Sequence, residues 1–269
     1  MEILFYLLVF VFGTIVGSFL NVVVYRYNTG LSIARGRSRC LSCSKALSWM
    51  ELVPVFSFFI SKGRCRSCLA KISWQYPLVE ILTGSVFLAV FISRFSSLLA
   101  SDRFFLANLF YDWTIFSLLI AVAVYDLRHK IIPDGLVYVF IFLSFFKVLY
   151  IGAASDFGGG GADFSTLLTN PILIGLFFFL AFASLWLVSE GRWMGLGDAK
   201  LILGIGWFLP FPQSLSAVLV AFWIGAVTGL FLLFLNGRKI SLKSEIPFAP
   251  FLVLGSFLAY FYNLNLVWF

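Results

Sequence analysis

The stretch RWMGLGDAKL, residues 192–201, places an aspartate, Asp198, among two glycines and a lysine at the edge of a long apolar run. An ionised carboxylate at membrane depth is costly, and such residues mark functional sites. A second aspartate, Asp126, closes another apolar run in AVYDLRHKIIPD. Two carboxylates in one partly dehydrated site do not both ionise readily, so they share a proton and titrate as a pair. The ionised member can then take a proton from water while the other protonates a carbonyl oxygen, which is aspartic peptide hydrolysis. Gly195 and Gly197 remove side chains beside Asp198 and let a substrate backbone come close. A plainer reading stands beside this one. Aspartates at helix ends often serve as N-caps, and both Asp198 and Asp134 precede apolar runs in that manner. Spacing alone does not bring Asp126 and Asp198 together.

The second set of reactive side chains is the cysteines. All four lie in one segment as Cys40-x2-Cys43 and Cys65-x2-Cys68, with 21 residues between the pairs. Each CxxC knuckle offers two thiolates to one face of an ion, which fits a tetrahedral four-cysteine zinc site. A redox pair or incidental thiols are the alternatives. Surrounding Arg and Lys residues favour the thiolate forms. A closed four-thiolate set has no open coordination position, so the expected role of zinc is structural, supplying folding energy to a segment with little core.

The elements that must position these residues are apolar. The chain has 269 residues, 61% hydrophobic and 12% charged, with a mean hydropathy of +1.02. Soluble domains do not have this composition, and continuous apolar windows of this length are spanning helices. Alternating β-barrel strands are absent from the pattern. The expected fold is an all-α polytopic membrane protein with eight spans at 3–25, 77–93, 105–125, 135–151, 170–189, 199–210, 214–236 and 249–265. This divides the chain into a first transmembrane helix (1–25), a cytoplasmic four-cysteine loop (26–76) and a seven-helix core (77–269). No cleavable signal peptide is evident in the first 25 residues.

Charge sets the expected orientation. Segment 26–76 holds nine of the nineteen basic residues and one acid, Glu51. The positive-inside rule places it in the cytoplasm. With eight spans both termini then lie outside, and 16 of 19 basic residues fall on the inner side. Arg94, Arg103 and Lys147 are assigned to the outer side. The net charge of +7 therefore reflects topology and contact with anionic lipid headgroups, not nucleic-acid binding. The glycine-rich outer loop 152–168 is expected to be flexible.

Four further residues invite assignment. Glu80, at the start of the second span, reads either as a partner for a cationic group or as a first-turn carboxylate favoured by the helix dipole. Asn21 shares a helical face with Gly13 and Gly17 and is expected to pack helices through an interhelical hydrogen bond. His129, the only histidine, reads as a solvated interface residue. Lys200 lies two positions after Asp198 and points to a different face.

Taken together, GSFLNVVVYR (17–26), the double CxxC loop, QYPLVEILTG (75–84), YDLRHKIIPD (125–134), GLGDAK (195–200) and IPFAPFLVLG (246–255) stand in a telling order. In this the chain resembles the type IV prepilin leader peptidases, bifunctional bacterial membrane aspartic proteases of the wider GxGD class. The resemblance implies that Asp126 and Asp198 are the catalytic dyad, with Gly195, Gly197, Lys200 and Glu80 in support. It implies as substrate the short basic leader of a type IV prepilin or type II secretion pseudopilin, cut on the cytoplasmic side of the inner membrane. It also implies methylation of the new N-terminus from S-adenosylmethionine. Ala249 stands where that family usually has glycine, and loop 152–168 is longer than expected. Two other functions compete: a GxGD protease with another substrate, and a non-enzymatic zinc-loop scaffold or transporter whose aspartates carry ions or protons.

Overall fold

The computed structural model describes residues 2–99, 103–154, 170–236 and 246–266. Among the described residues there are nine α-helices: α1 (Glu2–Arg26), α2 (Phe56–Ile60), α3 (Gln75–Leu99), α4 (Phe105–His129), α5 (Asp134–Ala154), α6 (Pro171–Ser189), α7 (Leu196–Phe208), α8 (Phe211–Asn236) and α9 (Ala249–Tyr262). All but the short α2 coincide in order with the eight expected spans. The glycine-rich segment from position 155 onward, and Arg238, Lys239 and Lys243, lie outside the described residues.

Among the described residues, five helices are long and apolar enough to cross a membrane: Ile3–Arg26, Gln75–Phe95, Phe105–His129, Pro171–Ser189 and Phe211–Leu235. Helices α7 and α9 have 13 and 14 residues. At a rise of about 1.5 Å per residue they reach roughly 20 Å, short of a hydrocarbon core of about 30 Å. The chain forms two compact units, Met1–Ala121 and Val122–Phe269.

In the first unit α1 packs on α3 through small residues. A Cβ on Gly13 would stand 2.8 Å from the Gly84 Cα, and one on Gly17 would stand 2.8 Å from the Glu80 Cα. Asn21 donates from Nδ2 to the Tyr76 carbonyl at 3.2 Å, the expected interhelical bond. Helices α3 and α4 meet where Trp113 stacks on Phe87, with ring centroids 4.8 Å apart and planes 5° apart. The Trp113 indole N–H also donates to the Phe87 carbonyl at 3.0 Å. Near by, Arg94 Nη2 lies 2.6 Å from Asp112 Oδ2. Arg94 was expected in an outer loop; it instead lies within α3 and pairs with a fully buried carboxylate of α4.

In the second unit α7 is the central helix, flanked by α5, α6 and α9. Its residues Ala199, Leu201, Ile202, Gly204, Ile205, Gly206 and Phe208 are all buried. A helix that is apolar all round must be enclosed by protein or lipid, and enclosure by its neighbours allows it to be short. Glycines set the spacing: a Cβ on Gly206 would stand 2.9 Å from the Gly175 Cα of α6, and one on Gly204 would strike the Phe140 ring of α5.

Candidate active site

Both aspartates belong to the second unit. Asp126 sits four residues before Lys130, near the C-terminal end of α4. The Lys130 N–H closes the helix onto the Asp126 carbonyl at 2.7 Å. Asp198 lies in the first turn of α7 behind the N-cap Gly195, so it is not itself the N-cap. Its backbone N–H donates to the Gly195 carbonyl at 3.2 Å. The two side chains are buried, Asp126 4% and Asp198 7% exposed. The Asp126 carboxylate is near enough to act on Asp198 electrostatically. Asp126 Oδ2 accepts the Ala249 N–H at 3.3 Å, at the first residue of α9. Asp198 Oδ1 is buried and accepts no hydrogen bond among the described residues. Two enclosed carboxylates, one held by a helix N-terminus and one with an open acceptor, make Asp126 and Asp198 a candidate acid–base pair.

The two glycines beside Asp198 differ. A Cβ on Gly197 would stand 2.9 Å from the Ile132 Cβ, so packing requires its absence. A Cβ on Gly195 would meet Asp198 Oδ2 at 3.5 Å and the Gly197 nitrogen at 3.9 Å, both ordinary contacts. The open face is therefore at Gly195. Lys200 turns away from Asp198, as its spacing predicts, and its Nζ lies 2.7 Å from Asp134 Oδ1. Asp134 is thus more than a cap: it is a first-turn residue of α5 with a lysine partner on α7. His129 is exposed and lies tilted against Tyr125, with ring centroids 4.4 Å and planes 30° apart.

Glu80 belongs to the first unit and is not in the first turn of α3, which holds no acidic residue. The expectation of a dipole-stabilised terminal carboxylate does not hold. Glu80 is 7% exposed and its Oε2 accepts the Val55 N–H at 2.7 Å, with the Ser18 hydroxyl also bonded to it. Val55, a β-branched residue, carries φ 63 and ψ −56 at the start of α2. Such a backbone is strained and persists only where its surroundings hold it. Glu80 therefore anchors the cysteine loop to α3.

The four cysteine Sγ atoms lie within 4.8 Å of one another, and Cys40 Sγ is 3.8 Å from Cys68 Sγ. Zn–S bonds of about 2.3 Å in a tetrahedron put sulfurs about 3.8 Å apart, so the set fits zinc. The two knuckles are backbone copies. Cys40 and Cys65 donate N–H bonds to the Lys45 and Ala70 carbonyls, both at 2.9 Å, and accept bonds from Ser44 and Leu69, both at 2.9 Å. Ser44 and Leu69 take the same left-handed turn, with φ 58 and φ 59. The sequence carries the same copy as RCLSC (39–43) and RCRSC (64–68). The N–H groups of Cys43 and Ser42 hold the Cys40 thiol down at about 6. At Cys68 the Ala70 N–H works downward, but burial and the three neighbouring thiols outweigh it and raise the group to about 11. Crowded thiolates of this kind are relieved by a cation among them.

Family signatures match in two blocks: the Bacterial Peptidase A24 N-terminal domain over residues 11–94, and the Type IV leader peptidase family over residues 113–230. The chain is 33% identical to the prepilin leader peptidase/N-methyltransferase of Bacillus subtilis over 97% of its own length and 95% of that protein. It is 35% identical to the protein of that name from Myxococcus xanthus over 87% of its own length, spanning 65% of that longer relative. A type 4 prepilin-like proteins leader peptide-processing enzyme of Escherichia coli is 31% identical over 90% of this chain and 88% of that protein. No solved structure gives a significant match. With 33% identity over nearly the full length of the Bacillus subtilis relative and both signatures in order, the chain belongs to the type IV leader peptidase family.

Proposed function

We propose that this protein cleaves the basic leader from type IV prepilins or type II pseudopilins at the cytoplasmic face of the bacterial inner membrane, and then methylates the new N-terminus. The observation that carries the cleavage reading is the burial of both Asp126 and Asp198, with the Asp126 carboxylate acting electrostatically on Asp198. The ionised member takes a proton from a water, which attacks the scissile carbonyl. The other member protonates the carbonyl oxygen, and microscopic reversal delivers a proton to the leaving amine. The open flank at Gly195 admits an extended substrate backbone. Eight membrane crossings with 26–76 inside keep the basic loops cytoplasmic and put both termini outside.

The four cysteines hold a structural zinc that fixes residues 26–76. S-adenosylmethionine is the methyl donor this reading calls for. Asn21 Oδ1 is buried without a hydrogen-bond partner, at the same α1–α3 contact as the Glu80 carboxylate. Acceptors of this kind suit a cationic methyl donor, whose transfer to an amine needs positioning rather than an acid–base pair.

The test is cleavage of a prepilin, with an unrelated signal peptide as control, by wild type, Asp126→Asn, Asp198→Asn and the double variant. Each single change should lower cleavage by orders of magnitude. The double should be little worse, because residues that act as a unit are not additive. Near wild-type cleavage by Asp126→Asn would end the aspartic reading, and equal cleavage of the control peptide would end the prepilin assignment. A pre-cut pilin with a free N-terminus should still be methylated by either single variant.

A further inference from the structure

Helix α7 presents Asp198 from a first turn that is gripped on both sides by one short linker. That linker, residues 130–133, joins α4 to α5 and begins four positions after Asp126. Its first residue, Lys130, adopts φ 55 while its N–H closes α4 on the Asp126 carbonyl. Ile132 then fills the space where a Gly197 side chain would be. Pro133 fixes its own φ and leads into Asp134, whose Oδ1 lies 2.7 Å from Lys200 Nζ. The Lys200 Nζ also sits 5.1 Å from the centre of the Tyr138 ring, one turn further along α5. Gly197 precedes Asp198 by one residue and Lys200 follows it by two, so the two grips straddle the aspartate.

We infer that the Asp134–Lys200 ion pair, with the Ile132–Gly197 contact, is a brace that sets the separation of Asp126 and Asp198, making Lys200 and Asp134 positioning residues for the reaction. The inference rests on the dyad reading above. Lys200 points away from Asp198 by helical geometry, and its ammonium is already engaged by a carboxylate and an aromatic face. Asp134 is 58% exposed and Lys200 19% exposed. An ion pair with so exposed a partner contributes little to folding. What it fixes is the height and rotation of α7 against the end of α4. A displacement of about 1 Å in a reacting group is enough to lower a rate about 100-fold.

The experiment uses the full chain in lipid nanodiscs and a prepilin substrate. Cleavage kinetics and thermal unfolding are measured for wild type, Asp134→Ala, Lys200→Ala, Lys200→Arg, the exchange Asp134→Lys with Lys200→Asp, and Asp198→Asn. The brace predicts that each alanine variant loses about 30- to 100-fold in kcat at unchanged KM and unchanged Tm. Lys200→Arg and the charge exchange should recover most of the loss. Wild-type kcat in both alanine variants would overturn the brace. So would an exchange no better than the worse single, or a rise in KM confined to Lys200, which would make Lys200 a substrate contact. Full activity in Asp198→Asn would overturn the dyad instead, whatever the exchange does.

Discussion

The backbone N–H of Ala249 donates to Asp126 Oδ2 at 3.3 Å, linking two residues 123 positions apart. Ala249 is the first residue of α9 and is fully buried, so the unpaired N–H end of that helix is aimed at the carboxylate. Helix N-termini favour a nearby anion. The arrangement leaves no room for a larger side chain. Ala249→Gly should keep the N–H and retain cleavage within a few-fold. Ala249→Leu should move the helix end and lower kcat by at least about tenfold, since transition-state geometry is sensitive to such shifts. Equal kcat for Gly and Leu variants in a prepilin assay would show that this contact does not orient Asp126.

The glycines flanking Asp198 should separate by phenotype. Gly197→Ala brings a methyl against the Ile132 Cβ, where only 2.9 Å is available. It should destabilise the second unit by about 1–3 kcal/mol, the usual range for overpacking. Gly195→Ala meets no such obstacle, its nearest contact being 3.5 Å away. It should unfold normally yet raise KM for prepilin. Thermal unfolding in detergent and steady-state kinetics on both variants decide this, and a reversed pattern would place the open face at Gly197.

Much of this site was legible in sequence because its parts are local. The CxxC spacing, the charge asymmetry and the apolar runs each depend on neighbours within a turn or a loop, and eight helices lie in order at the expected spans. The rest depends on contacts between elements. Glu80 and Val55 lie 25 positions apart, and Arg94 and Asp112 lie 18 apart on different helices. No periodicity reports such pairings. Whether an apolar helix meets lipid or protein is hidden for a related reason. An apolar helix enclosed by protein, as α7 is, has the same composition as one enclosed by lipid.

Metal retention should depend on pH with a defined sign. The Cys43 and Ser42 N–H groups hold Cys40 at about 6, below the ordinary thiol value of 9.0. A depressed folded-state value favours the thiolate, so its contribution is complete above the ordinary value and is lost as pH falls through about 6. Protons and metal compete for the same sulfurs, so zinc should be held at neutral pH and released on acidification. Zinc release followed with a colorimetric chelator, alongside proteolysis of residues 26–76, measures both. Cys40→Ser with Cys65→Ser should lose the metal at neutral pH and expose the loop. An ordered, protease-resistant loop in that variant would rule out a structural metal.

The Arg94–Asp112 pair should behave as a buried ion pair that specifies how α3 meets α4. Arg94 offers both Nη2 at 2.6 Å and Nε at 2.9 Å to Asp112 Oδ2, and the carboxylate is fully buried. Removing one partner takes the nearest opposite charge from the other, and breaking a buried pair in this way costs about 3–5 kcal/mol. Removing both eliminates the charges together, and a well-packed apolar replacement is often neutral. Arg94→Leu and Asp112→Leu should therefore each unfold much more readily than wild type in mixed-micelle denaturation, and the double variant should lie closer to wild type than either single. The pair is in the first unit, whereas Asp126 and Asp198 are both in the second. Cleavage per folded molecule should consequently be unchanged in all three variants, and only the folded fraction should fall. Additive losses in the double variant would mean that each residue has separate partners worth as much as the pair. A fall in kcat for the folded fraction would instead tie this ion pair to the chemistry.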